Sequence, residues 1–420
     1  MPMDADTLYL EVIEKTSRHL NPYLARLQSF AGFGIETRAE GCTIWDHEGR
    51  AYLDCLGGYG TFSLGHRHPR VVEAVKRQLD QIALGGKAFF SQNAGDLAEM
   101  LAEITPAGLE FSFFCNSGAE AVEAALKFAK GSTGRAKIVS TQGSYHGKTL
   151  GALATTGREK YRKRFEPLMP GVVFVPYDDI EAAVAEIDDE TAAMIVEPIQ
   201  GEGGIIVPQD GYLAALRKAC DEHGALLIFD EVQTGLGRTG LMFGCDHEGV
   251  APDLMTLAKS LGGGIMPLGA LVGTPTIWES IYSVNPMAHT STFGASPIAC
   301  AAGIAAIQTL REEGLVERSA QMGARLLAGL QSVADRHNDL VLPTRGRGLM
   351  IGLEFRQDEV GEIVVAMMMK HGLCVAYALN NPRVLRYEPP FVITEEQVDF
   401  AVETTNLAVQ DAKELLGSLV

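Results

Sequence analysis

Apolar residues in this chain gather in short unbroken runs more than in strict alternation. AKIVS, AAMIVEP, ALLIFD and GALVGT are four such runs, and stretches of helical periodicity separate them. Continuous apolar runs suit strands covered on both faces, so the pattern predicts a largely parallel α/β sheet. Ahead of them, LYLEVIEKTSRHL has helical spacing and predicts an N-terminal arm or helix that packs on a partner or covers a site. GCTIWDHEGRAYLDCLGG then reads as a hairpin with an Asp-His-Glu-Gly turn.

Two of the runs end in residues that carry chemistry. In LMTLAKSLGGG, residues 254 to 264, the apolar stretch ends at Lys259, just before a glycine cluster. A lysine whose charge is opposed by apolar neighbours has a lowered pKa and can attack a carbonyl carbon; the alternative is a solvated lysine at a strand end. In ALLIFDEVQTGLGRTG, residues 225 to 240, the run ends at Asp230 and Glu231 and breaks into a Gly-rich loop, as a buried parallel strand with its catalytic edge at the carboxyl end would. An Asp on such an edge can pair with the ring nitrogen of a pyridine cofactor, and a Lys on the next can bond to its aldehyde.

A third run, FSFFCNSGAEAVEAALKFAK, leads into Ser117, Gly118 and Ala119 and then into helical spacing. The first N–H groups of that helix, with Ser117 beside them, could hold a phosphate dianion. The same residues also make a plain helix cap, because Asn116 and Ser117 are good N-cap residues and Glu120 completes a capping-box pattern. Both readings use the same donors.

With these runs in view, the chain resembles the class III aminotransferases of the type I pyridoxal-phosphate fold from about Ile44 to the C-terminus. The resemblance is carried by CLGGYGTFSLGHRHP, CNSGAEAVEAALK, GSYHGKTLGALATTG, EPIQGEGGI, DEVQTGLGRTG, LAKSLGGGIMPLGA, HTSTFG and VLRYEPP. Within that family it looks most like putrescine aminotransferases, with ornithine and acetylornithine aminotransferases as cousins. The resemblance implies an α/β fold with a large domain built on a mainly parallel seven-stranded sheet and a smaller α+β domain. Residues 65–310 would form the large domain; 1–64, the arm and hairpin, would join 311–420 in the small one.

Carried over by motif position, the resemblance makes Lys259 the Schiff-base lysine and proton carrier, and Asp230 the partner that keeps the pyridine nitrogen of pyridoxal 5'-phosphate protonated. Gln233 would hydrogen-bond the ring hydroxyl, and Val232 and Tyr145 would press on opposite ring faces, with His146 beside them. Ser117, Gly118 and Ala119 would hold the phosphate, joined by Thr292 from the second subunit of a homodimer. Arg386 matches the family arginine that grips the carboxylate beside the reacting carbon. Glu202 matches the residue that pairs with that arginine when a terminal amine is bound.

The chain also departs from its cousins. Ornithine and acetylornithine enzymes carry an arginine where this chain has Lys148, and a lysine holds a distal carboxylate less firmly than a guanidinium fork. Tyr59 stands where putrescine-type enzymes tend to have phenylalanine, so the tail of the substrate can differ from putrescine. The expectation is an aminotransferase that moves a terminal amino group from a diamine or related ω-amine to a keto acid. The alternatives are an ornithine or acetylornithine δ-aminotransferase, an amine or aldehyde aminotransferase of secondary metabolism, and, from another class, a decarboxylase or racemase.

Composition narrows the setting. A chain of 420 residues, 46% hydrophobic, can bury a large core and form about two domains. A net charge of −18 argues against nucleic acid as a partner. No apolar run is long enough to span a bilayer and no signal pattern opens the chain, so a soluble protein is expected. Seven scattered cysteines suggest neither disulfides nor zinc and favour a reducing cytoplasm, with Cys115 a small buried hydrophobe. His66 and His68 invite a metal reading, which is set aside because Pro69 follows them and no companion ligand motif accompanies them.

Overall fold

The computed structural model describes residues 4–30 and 32–417. The chain enters through two helices, Ala5–His19 and Pro22–Phe30, the first of which buries none of its residues. Three short strands follow: β1 (Glu36–Glu40), β2 (Thr43–Asp46) and β3 (Ala51–Asp54). The β2–β3 hairpin closes on the expected Asp-His-Glu-Gly turn. Asp46 Oδ1 accepts from Glu48 N at 2.9 Å and Arg50 N at 3.0 Å, and Gly49 takes a φ of 82°. β1 was not foreseen, because its ETRAE sequence lies almost wholly exposed and carries no apolar signature.

The middle of the chain builds a seven-stranded sheet from β4 (Phe111–Cys115), β5 (Lys137–Thr141), β6 (Val172–Val175), β7 (Thr191–Val196), β8 (Leu226–Asp230), β9 (Leu254–Leu257) and β10 (Gly269–Gly273). Their spatial order is β4-β10-β9-β8-β7-β5-β6, and β10 alone runs antiparallel to its neighbours. The expected mainly parallel sheet is therefore present. Every residue of β7 and β9 is buried, which explains why these segments read as continuous apolar runs. Parallel pairing of β7, β8 and β9 brings three chain ends to one edge, so Glu197, Asp230 and Ala258-Lys259 emerge together.

The rest of the chain adds β11 (Arg345–Arg347), β12 (Met350–Glu354), β13 (Leu373–Cys374), β14 (Ala376–Tyr377) and β15 (Val384–Tyr387). β11, β12, β15 and β14 form one sheet, whereas β13 pairs in parallel with β3 of the N-terminal hairpin. Thus the two ends of the chain share a sheet, and Arg386 sits on β15 opposite Gly352.

A buried guanidinium ties this part to the large sheet. Arg238, in the loop after β8, donates from Nη1 to Leu349 O (2.9 Å) and Pro389 O (2.7 Å), and from Nη2 to Ser63 Oγ (3.1 Å), with its charge 4.6 Å from the centre of the Phe391 ring. Burial draws its pKa down to about 10. Three separate segments meet on one side chain, so Arg238→Ala should leave two buried carbonyls unpaired, strip the Ser63 hydroxyl of one of its two bonds, and cost about 3 kcal/mol or more. A thermal melt of the purified variant checks this, the expected outcome being a clearly lowered melting temperature.

Candidate active site

At the sheet edge lies a cavity of about 540 Å³ whose walls include Ser117, Gly118, Tyr145, Asp230, Val232 and Lys259. Lys259 follows β9 and opens a short 3-10 turn in the left-handed region, with φ 46°. A residue with a Cβ rarely holds that conformation, and here the turn bonds Leu261 N to Ala258 O (2.9 Å) and Gly263 N to Ser260 O (2.9 Å) hold it in place. Loss of water lowers the pKa of the Lys259 ammonium from the ordinary lysine range, against the pull of Glu388, Glu202 and Asp230.

Asp230 ends β8 with a carboxylate fixed on both oxygens. Oδ1 accepts from Val232 N and Thr256 Oγ1, each at 3.1 Å, and Oδ2 lies 2.7 Å from His146 Nδ1. His146 is fully buried with no partner on Nε2, so its ring serves to hold Asp230. Beside it, Glu197 accepts from Tyr145 N (3.0 Å) and Gly201 N (3.1 Å), and burial raises its carboxyl pKa to about 7.

The helix Gly118–Thr133 points its N-terminus into the cavity. Ser117 caps it by accepting from Glu120 N at 3.2 Å, and Glu120 in turn accepts from Asn116 N at 2.8 Å, so the capping reading holds. By helix geometry the N–H groups of Gly118 and Ala119 have no intrahelical acceptor and stay available to an anion. A Cβ on Gly118 would come within 3.0 Å of both γ carbons of Val232, so glycine there lets Val232 lie against the cup.

Arg386 and Glu202 form a buried pair, with Arg386 Nη1 donating to Glu202 Oε1 at 2.9 Å. The Arg386 Nε and Nη2 donors are buried and have no partner among the described residues. Tyr59, 44% exposed, places its ring 5.2 Å from the guanidinium, and Lys148 is exposed with its ammonium 5.1 Å from the Tyr161 ring. Thr292 is exposed and does not line this chain's own cavity, although its neighbour Ser291 lies 3.5 Å from Asn116. His66 and His68 serve structure: His66 Nε2 lies 2.7 Å from Asp54 Oδ2, and His68 is 3.4 Å from Glu313.

Three residues escaped the sequence reading. Glu197 follows an apolar run just as Asp230 does, and that shared position was the available signal. Thr256 lies inside β9 with nothing in its sequence to mark it. Glu388 is fully buried and accepts from Gln233 Nε2 at 2.8 and 2.9 Å. It lies two residues after Arg386, the spacing that puts side chains on one face of an extended chain.

Residues 30–409 match the model of the family described as Aminotransferase class-III, and the chain belongs to that family. Among solved structures, the ornithine aminotransferase of Toxoplasma gondii ME49 is 34% identical, with 91% of each chain covered and a TM-score of 0.86. A thermostable (S)-enantioselective omega-transaminase from Thermomicrobium roseum is 31% identical over 98% of this chain and 100% of its own, with a TM-score of 0.89. A Bacillus anthracis aminotransferase is 30% identical over 97% and 100%, with a TM-score of 0.90.

Class III aminotransferases use pyridoxal phosphate, and the cavity fits it. Its walls combine free helix N-terminal donors, an apolar side chain and an aromatic one, a fixed carboxylate and a desolvated lysine. When bound, this cofactor supplies an aldehyde for an amine and a conjugated ring that takes up electrons as the substrate loses a proton.

Glu197 gives the site a pH signature. Its folded pKa of about 7 exceeds the ordinary 4.5, so the folded protein holds this proton more tightly than the unfolded chain. The resulting stabilisation is complete below about pH 4.5 and fades as pH rises through about 7, by roughly 3 kcal/mol in all. Glu197→Gln, neutral throughout, should flatten that decline in melting temperature. Parallel curves for the variant and the native protein would exclude Glu197 as the titrating group.

Proposed function

We propose that this enzyme removes a terminal amino group from a diamine such as putrescine, or a related ω-amine, and delivers it to a keto acid such as 2-oxoglutarate or pyruvate. The observation that carries the reading is the buried pair between Glu202 and Arg386. A donor with a carboxylate beside its reacting carbon would have to displace Glu202 from the arginine, whereas a terminal amine leaves the pair intact. Removing one partner of a buried pair without replacement costs about 3–5 kcal/mol. The keto acid in the second half of the cycle supplies that replacement with its own carboxylate.

In this reading Lys259 carries the proton between the substrate carbon and the cofactor, and its lowered pKa makes the neutral amine easier to reach. Asp230, held by His146 and Thr256, keeps negative charge facing the ring nitrogen, while Val232 and Tyr145 confine the ring and Gln233 stands at its hydroxyl. Ser117, Gly118 and Ala119 hold the phosphate. The exposed Lys148 and Tyr59 face the far end of the substrate.

A second copy of the chain completes the site. Phe89 is 87% exposed, Phe90, Met287 and Phe293 are also open to solvent, and Lys87 bonds to Gly294 O, so the two segments meet beside Thr292 with apolar side chains that a twin subunit would cover. Free cysteines, six of them buried, suit a reducing cytoplasm, and no helix of the described residues is long and apolar enough to cross a membrane.

Ornithine is the competing donor, favoured by the 34% identity to an ornithine aminotransferase. The test mixes cofactor-loaded enzyme with putrescine, ornithine or acetylornithine without keto acid. Loss of the cofactor's visible absorption should be fastest with putrescine; faster conversion by either amino acid would move the enzyme to the ornithine branch. Glu202→Ala should then raise the ratio of glutamate to putrescine rates by roughly tenfold or more, since tenfold needs only about 1.4 kcal/mol. An unchanged ratio would remove the pair from substrate selection.

A further inference from the structure

Arg386 faces a second carboxylate. Glu388 Oε2 lies 3.8 Å from the same Nη1 that donates to Glu202. The two acids differ in how firmly they are held. Glu202 sits in a run of glycines, Gly201, Gly203 and Gly204, and its Oε2 accepts from Leu379 N at 2.7 Å. Glu388 is fully buried, with both carboxylate oxygens on Gln233 Nε2 and its own N–H bonded to Cys55 O at 2.7 Å. Gly57 packs against its backbone so closely that a Cβ there would stand 2.1 Å from Glu388 O. Glycines flank Glu202 on both sides, whereas the backbone of Glu388 is clamped between Cys55 and Gly57.

We infer that Glu388 is a specificity-determining residue: a fixed carboxylate that neutralises part of the Arg386 charge at all times and so limits how tightly the site holds a substrate carboxylate. When a keto acid displaces Glu202, the arginine it meets is already shared with Glu388, and the incoming anion approaches a like charge. An arginine facing only a movable acid would bind α-carboxylates strongly, and amino acids would then compete with terminal amines as donors. The inference rests on the reading of Arg386 as the carboxylate receptor in the proposed function.

Glu388→Gln tests it with little change of shape, because the amide oxygen still accepts from Gln233. Glu388 also supports the charge on Lys259, so turnover alone would mix two effects. The diagnostic quantity is the dissociation constant of glutarate, a dicarboxylate that cannot react, measured by calorimetry on cofactor-loaded protein beside the KM for 2-oxoglutarate. Both should fall by about tenfold in Glu388→Gln, well within what one charge at such a separation exerts at an effective dielectric of about 20. Glu388→Asp, which keeps the charge, should stay near the native values.

Unchanged or weaker glutarate binding in Glu388→Gln, in a protein whose Arg386→Gln variant loses glutarate, overturns this inference alone. Glutarate binding that survives Arg386→Gln removes the receptor itself, and with it both this inference and the substrate reading above. The outcome does not depend on which amine is the donor, because every donor is followed by the same acceptor step.

Discussion

The constraint on which the rest of this structure depends is the burial of opposite charges in one poorly hydrated site. Glu197, Glu202, Asp230 and Glu388 converge there with Lys259 and Arg386. An isolated charge in such a place is too costly to keep, so each must be paired, hydrogen-bonded or neutral. Asp230 is held by His146 and Thr256, Glu202 by Arg386, and Glu388 by Gln233 and the same arginine. Glu197 meets the constraint another way, through a raised pKa that keeps its proton up to about pH 7. Lys259 lies among these acids with its own pKa lowered by loss of water.

Such a set cannot come from one segment of chain. Parallel pairing delivers Glu197, Asp230 and Lys259 to one edge, since neighbouring parallel strands end on the same side. Arg386 and Glu388 come from the other sheet, and their placement depends on how that sheet docks. Arg238 controls the docking by binding Pro389 O, the carbonyl next to Glu388, together with Leu349 O and Ser63 Oγ. Catalytic geometry and the packing of the two halves of the molecule are therefore set by the same contacts.

The parts legible in the sequence are those that local pattern determines. Buried parallel strands announce themselves as apolar runs, and the charged residue that ends such a run must lie at the sheet edge, so Asp230 and Lys259 could be placed without coordinates. The cap at Ser117 was equally local. Glu388 was not recognised although its run was, because a carboxylate two residues from an arginine reads as a surface pair until burial is known. The role of Arg238 depends on two carbonyls and a serine hydroxyl from three distant segments, and a carbonyl leaves no mark in a sequence. β1 escaped because a polar, exposed strand is defined by its partner and not by its own residues.

Backbone strain adds a last link between fold and selectivity. Non-glycine residues in the left-handed region cost on the order of 1–3 kcal/mol each and persist only where the surroundings over-determine them. Tyr59, Ile205, Leu236 and Lys259 all take positive φ, and each lies in or beside a loop that presents a site residue. At Tyr59 the conformation brings a phenol ring over Arg386, so the arginine is covered by an aromatic face as well as by two carboxylates. A carboxylate must therefore compete with several partners for one guanidinium, whereas an amine bound for transfer need only reach the cofactor's aldehyde. In the function proposed above, the site would discriminate between donors by withholding a receptor from α-carboxylates, with no need for a pocket shaped to one particular amine.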